Sequence, residues 1–220
     1  MKKIFLLLAA AAVTLGCARE TLRTGDLVFV GIPADYSLEE DSMSSAIADA
    51  TGKGPLNIIH VAIAEVDGDG TWIIDATIRH GVDRHPLDTF LRDFTLKDGS
   101  LPVFEVKRLK DSADAEAFVE NAKKYLGQPY DTYFLPDNGA LYCSELVRES
   151  YLGEDGTPLF DEVPMNFCDS EGNMPVYWEQ LFAILGMDVP QGAPGTNPQK
   201  MSSSPLLRPV NLPSGFWERH

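Results

Sequence analysis

Two apolar runs joined by an acidic, glycine-rich turn constrain this chain more than any other feature. Asn57-Ile58-Ile59-His60-Val61-Ala62-Ile63-Ala64-Glu65-Val66 is rich in β-branched residues and reads as a strand. Asp67-Gly68-Asp69-Gly70 follows, a composition suited to a tight turn. Thr71-Trp72-Ile73-Ile74-Asp75-Ala76 returns as the partner strand. An antiparallel hairpin this apolar does not stand alone, so other strands or helices must cover it.

The flanking sequence supplies them. Leu27–Val30 is a short buried strand ended by Gly31 and Pro33, and Ser44–Ala50 is a helix broken by residues 51–55. Gly81-Val82 begins another strand, Leu87–Phe94 a short helix, and Leu101–Val106 a further strand. Asp111 or Ser112 is positioned to cap a helix with the apolar stripe Ala115, Phe118, Val119, Ala122, Tyr125 and Leu126, closed by Gly127. A helix opening near Cys143 stops at Gly153, and Val176–Leu185 forms one that ends at Gly186. Residues 187–220 are dense in Pro, Gly, Ser and Asn and read as an extended C-terminal wrap. With 220 residues and neither a repeat nor a linker, the chain reads as one α+β domain.

Eighteen Lys and Arg stand against 33 Asp and Glu, a net charge of −15. So acidic a surface argues against nucleic acid and anionic lipid headgroups as partners, and is compatible with small or cationic substrates. Met1-Lys2-Lys3 and the apolar run Ile4–Val13 form a signal peptide over residues 1–16, too short to span a membrane. Thr14-Leu15-Gly16-Cys17 resembles a bacterial lipobox, which makes Cys17 the lipidation site, residues 17–220 the mature domain and the cell envelope its location. Thr14 departs from the usual aliphatic residue, so simple secretion to the periplasm is the alternative. Cys143 and Cys168 are then left in an oxidising compartment, either free or paired as a disulfide.

Cys143 sits where Pro136-Asp137-Asn138-Gly139 meets an amphipathic run, in the first turn of its helix. Unpaired N–H groups and the helix dipole favour thiolate there, and the thiolate is the nucleophile. Such a nucleophile needs a base and the base an orienting group. Of the four histidines, His220 is terminal, and His80 and His85 flank Gly-Val-Asp-Arg in what reads as a surface loop rather than a metal site. His60 lies within a strand, on one face with the small residues Ala62 and Ala64. A turn centred on Gly68-Asp69 places Asp75 opposite or diagonal to it, within cross-strand reach. Tyr142 and Ser144 flank the cysteine as oxyanion or pocket residues, with the N–H groups of Cys143 and Ser144 as oxyanion donors. Tyr130 and Asp131 either contact substrate or anchor their loop.

The order His60, Asp75, Cys143 matches chymotrypsin-like cysteine proteases, but a helix-borne cysteine facing a strand-borne histidine is papain-like geometry with the cysteine moved to the end. Asn57–Ile63, Ile74-Asp75-Ala76, Gly127-Gln128-Pro129-Tyr130-Asp131 and Leu141-Tyr142-Cys143-Ser144-Glu145-Leu146-Val147 together resemble the permuted NlpC-type papain-fold hydrolases of the YiiX/YaeF-like group, with Gly25–Val28 similar to the opening strand. The resemblance implies a circularly permuted papain-like fold, a central antiparallel sheet or small barrel with packed helices. It implies Cys143 as nucleophile, His60 as base and Asp75 in the third polar position, with no cofactor or metal. The expected activity is cleavage of amide bonds in cell-wall peptides or amino-acid amides, a peptidoglycan fragment among them, through a thioacyl-enzyme. A lipid-directed acyltransferase or thioesterase on the same fold is the second expectation, and predicts an apolar groove beside Cys143. A non-catalytic envelope binding module with a Cys143–Cys168 disulfide is the third.

Overall fold

A computed structural model describes residues 19–39, 42–51, 54–111 and 114–220. The signal peptide, Cys17 and the candidate cap Ser112 lie outside the described residues. The hairpin forms as β2 (Leu56–Asp67) and β3 (Gly70–Thr77), and Asp67 pairs with Gly70 across a turn centred on Gly68 and Asp69. Around it, β1 (Leu27–Pro33), β4 (Gly81–Pro86), β5 (Val103–Leu109) and β8 (Leu207–Pro209) complete a six-stranded sheet of order β4-β3-β2-β1-β5-β8. Every neighbouring pair in it is antiparallel.

Side-chain alternation along the strands builds two cores, one per face. Leu27, Phe29, Val61, Ile63 and Ile74 pack with Phe118 and Val119 of α3 (Ala115–Lys123) and with Leu146 and Val147 of α4 (Cys143–Ser150). Val28, Val30, Ala62, Ala64 and Ile73 pack instead with Leu87, Phe90 and Leu91 of α2 (Leu87–Asp93). A third, aromatic cluster joins Phe134, Tyr142, Phe167, Trp178 and Phe182, the last two on α5 (Val176–Leu185). Ala46 of α1 (Met43–Thr51) also belongs to it. This is the expected α+β architecture with a central antiparallel sheet. Among the described residues no helix is long and apolar enough to cross a membrane.

The ladder slips once near the site. Val30 pairs with His60 but Gly31 pairs with Ile58, so Ile59 is a bulge residue. Bulges re-aim the side chains beside them, here at the His60 end of β2.

Four local expectations need correction. Helix α3 begins at Ala115 with Asp114 at its N-cap, not Asp111. Helix α4 ends at Ser150 with Tyr151 as its C-cap, short of Gly153, and the buried Tyr151 is tied across the domain by donating its hydroxyl to Gly25 O at 3.0 Å. Gly81–Pro86 is strand β4 and not a loop, so His85 is an interior residue. The C-terminal wrap contains regular structure: β7 (Pro194–Gly195) pairs with β6 (Val163–Pro164), and α6 (Pro198–Ser202) leads to β8, which closes the sheet edge against β5. Pro209 on that outer strand has no ladder partner beyond it, as suits a residue without an N–H.

Candidate active site

Cys143 is the first residue of α4, which packs against β2 and β3. The positive end of the helix therefore lies beside its sulfur. His60 projects from β2 next to the bulge. The turn at Gly68-Asp69 sets the β2–β3 register and makes Asp75 its diagonal cross-strand neighbour. His60 Nε2 and Asp75 Oδ2 lie 2.7 Å apart, both buried. With Nε2–H donated to the carboxylate, Nδ1 is the nitrogen left for the Cys143 thiol, which is within hydrogen-bonding reach of the ring. Phe94 packs on the imidazole with ring centroids 4.7 Å apart, and Phe90 at 6.3 Å. Burial works against a charge on this ring. The negative sulfur of Cys143 and the Asp75 carboxylate outweigh it and raise the His60 pKa to about 10.

Each flanking residue is accounted for by its hydrogen bonds. Tyr142 accepts the Thr196 N–H at its hydroxyl, 2.8 Å away, and burial pushes that phenol well above its ordinary value. The Ser144 hydroxyl, fully buried, lies 2.9 Å from the Thr196 Oγ1 that donates to it. Thr196 thus ties the segment after the cysteine to the C-terminal wrap. Tyr142 N–H donates to the Glu145 carboxylate at 3.3 Å. Burial raises the Glu145 pKa to about 8, opposed by that hydrogen bond and reinforced by Asp131 and Glu149.

Asp131 anchors its loop, one of the two roles open to it from the sequence. Its carboxylate accepts from Tyr133 N–H (2.8 Å), Leu135 N–H (2.9 Å) and Asn138 Nδ2 (2.9 Å). These bonds hold Phe134 at a positive φ of 53°, an uncommon conformation for an aromatic residue. Phe134 is turned into a small cavity of about 40 Å3 that opens beside Cys143. Tyr130, Ile47, Ile59, Met165 and Trp178 also line that cavity, so its walls are largely apolar. The Trp178 indole N–H, buried in this wall, has no hydrogen-bond partner among the described residues. Beyond Tyr142 and Thr196 lies a polar hollow of about 560 Å3, lined by Asn138, Glu145, Arg148, Glu149 and Glu162.

Cys143 and Cys168 are both free thiols, so the disulfide is absent. Among the described residues no group of three or more His, Cys, Asp or Glu is arranged to hold a metal ion.

Sequence reasoning brought Cys143, His60 and Asp75 to one place, and the structure juxtaposes them. It missed Thr196, which carries no local signal, and the aromatic cavity, whose residues are scattered from Ile47 to Pro198. It misplaced His85, whose strand is disguised by Asp83, Arg84 and Pro86.

The profile of the permuted papain-like amidase family, YaeF/YiiX type, matches residues 21–211. The uncharacterized protein YiiX of Escherichia coli K12 is 24% identical over 191 residues, covering 86% of this chain and 85% of that protein. A crystal structure of yiiX from Escherichia coli O157:H7, described as a metalloprotein, superposes with a TM-score of 0.66 at 22% identity. It covers 87% of this chain and 97% of that one, which is a likeness of fold.

Proposed function

This chain belongs to the permuted papain-like amidase family, and from that premise we propose that it is a cysteine amidase with Cys143 as nucleophile, His60 as acid–base and Asp75 as the residue that orients it. The observation that carries this reading is the contiguous buried chain from the thiol to His60 and on to Asp75 at 2.7 Å. The sulfur attacks the substrate carbonyl carbon, and the oxyanion that forms is met by the N–H groups of Cys143 and Ser144, which have no intrahelical acceptor in the first turn. The proton on His60 passes to the departing amine as the C–N bond breaks, leaving a thioester on Cys143. Water then attacks the thioester, gives a proton to His60, and releases the acid and the thiolate. Asp75 keeps Nε2 protonated throughout, so Nδ1 remains the working nitrogen.

Cell-wall peptides or amino-acid amides are the proposed substrates, with the enzyme in the cell envelope and held there by lipid on Cys17. A second reading is favoured by one observation: the cavity that touches Cys143 is apolar, whereas the polar hollow lies beyond Tyr142. On that reading the acyl group is hydrocarbon and the protein acts as a lipid-directed acyltransferase or thioesterase through the same thioester. The two are separated by incubating the protein with muropeptides, amino-acid amides and a series of fatty-acyl amides and thioesters, then measuring intact mass. A thioacyl adduct on Cys143, absent in Cys143→Ala and accompanied by release of the amine or thiol, is the expected result. The substrate that produces it decides between the readings, and no adduct with any of them would refute both.

A further inference from the structure

His85 is a buried titratable side chain near the site that the mechanism leaves unused. It lies on β4, 7% exposed, and neither ring nitrogen has a hydrogen-bond partner among the described residues. The same is true of one oxygen of Asp75, a residue 1% exposed. Buried polar atoms left unpaired are costly, and two that face each other call for a common explanation. His85 Nε2 lies 3.8 Å from that orphaned Asp75 Oδ1, and His85 Nδ1 lies 3.6 Å from Asp83 Oδ2.

The sheet register sharpens the point. Asp75 sits directly opposite Asp83 on the β3–β4 ladder, and Ile73 opposite His85. Two carboxylates opposed across a ladder repel each other. The imidazole, one diagonal step along the same face, presents one nitrogen to each. From α2, Phe90 covers the ring nearly parallel at 6.4 Å and 19°, bringing no charge of its own. Among the described residues the charged groups facing His85 are Asp75 and Asp83, with His60 on the far side of Asp75.

We propose that His85 is a fourth, positioning member of the site: it donates Nε2–H to Asp75 Oδ1 and so fixes the carboxylate that orients His60. Closing 3.8 Å to hydrogen-bonding distance takes a side-chain movement of under about 1 Å. Asp75 then receives one donor at each oxygen, His60 at Oδ2 and His85 at Oδ1. The row runs Cys143, His60, Asp75, His85, Asp83, and its outer end is half-exposed at Asp83. His85 never touches substrate; it acts through Asp75. A carboxylate held from both sides cannot rotate away from His60, so the imidazolium keeps its partner when the thiol is ionised.

This inference rests on the proposed Cys143–His60–Asp75 site, and the test separates the two. The rate of iodoacetamide alkylation at Cys143, followed by peptide mass, is measured against pH in wild type, His85→Leu and His85→Gln, alongside thermal melting. Wild type is expected to show an inflection near pH 10, where His60 loses its proton. In His85→Leu the Asp75 carboxylate is free to turn from His60, and that inflection should fall by about one pH unit as the charged His60–Asp75 hydrogen bond weakens. His85→Gln, which keeps a donor, should restore most of that shift. An unchanged profile in a folded His85→Leu overturns the role of His85 alone, as does a Gln variant that behaves like Leu. A wild type without an activated thiolate overturns the site itself. Because His85→Leu disturbs a buried position, long-range 1H–15N spectra of the wild-type imidazoles provide a second measurement. They must place a proton on His85 Nε2, and a bare Nε2 overturns the proposal.

Discussion

Glu145 couples the stability of the nucleophile helix to pH with a definite sign. It is the third residue of α4 and is buried, with one oxygen accepting the Tyr142 N–H at 3.3 Å. Burial lifts its pKa from 4.5 to about 8, and the Asp131 and Glu149 carboxylates add to the effect. Between those values the native protein holds a proton that the unfolded chain has released. Stability therefore falls as pH rises through this window, by up to about 1.4 kcal/mol per pH unit for one group. The full window sets a ceiling of roughly 5 kcal/mol, and partial solvent access reduces the realised value to about 2 kcal/mol. Glu145→Gln keeps an acceptor for Tyr142 and removes the titration. Urea unfolding of both proteins under reducing conditions, at about pH 5 and about pH 8, isolates the effect as a difference in which every other titrating group cancels. Relative to wild type, the Gln variant should gain about 2 kcal/mol between the two pH values. Parallel stability curves, or a variant that loses ground at the higher pH, would refute the assignment of a buried, neutral Glu145.

Two further perturbations follow from the same geometry. Asp75→Asn replaces the carboxylate 2.7 Å from His60 Nε2. His60 should then lose its proton about one to two pH units lower, which the imidazole resonances in NMR would report, and an unmoved titration would exclude Asp75 as its partner. Gly81→Ala places a Cβ 2.3 Å from the Gln128 carbonyl oxygen at a φ of +66°. It should cost about 3 kcal/mol in urea unfolding through overpacking and backbone strain, and a variant as stable as wild type would mean that β4 does not hold the Gly127–Tyr130 segment this closely.

The parts of the site that were legible in the sequence are those fixed by local geometry. The Asp67–Gly70 turn sets a register, and register alone brings Asp75 diagonal to His60. The helix start at Cys143 was likewise a local signal. Features set by long-range packing were hidden. Helix α4 stops at Ser150, short of Gly153, where the side chain of its cap Tyr151 reaches Gly25, 126 residues away in sequence. Strand β8 forms in a Pro- and Ser-rich tail because the open edge of β5 offers it a partner, a property of the sheet and not of residues 207–209. His85 was read as a loop residue because a short strand bounded by Gly81 and Pro86, with Asp83 and Arg84 inside, lacks apolar alternation. Arg84 is accommodated by the Glu65 and Asp67 carboxylates on the neighbouring hairpin, at 2.6 and 3.1 Å, which no local window contains.

Shape and charge at this site serve one purpose. The helix start directs the sulfur toward His60, the bulge at Ile59 lies beside the imidazole, and the aromatic packing of Phe90 and Phe94 keeps that imidazole in place. Thr196 ties the wrap back to Tyr142 and Ser144 on either side of the nucleophile.

The pH dependence of iodoacetamide alkylation at Cys143, in wild type and in His60→Ala, tests the central claim most directly. Wild-type Cys143 should be alkylated at a rate that depends on His60 and changes near pH 10, where that ring gives up its proton. In His60→Ala the inflection near pH 10 should vanish and alkylation at neutral pH should slow. A wild-type Cys143 that is unreactive, or one that titrates identically with and without His60, would contradict it.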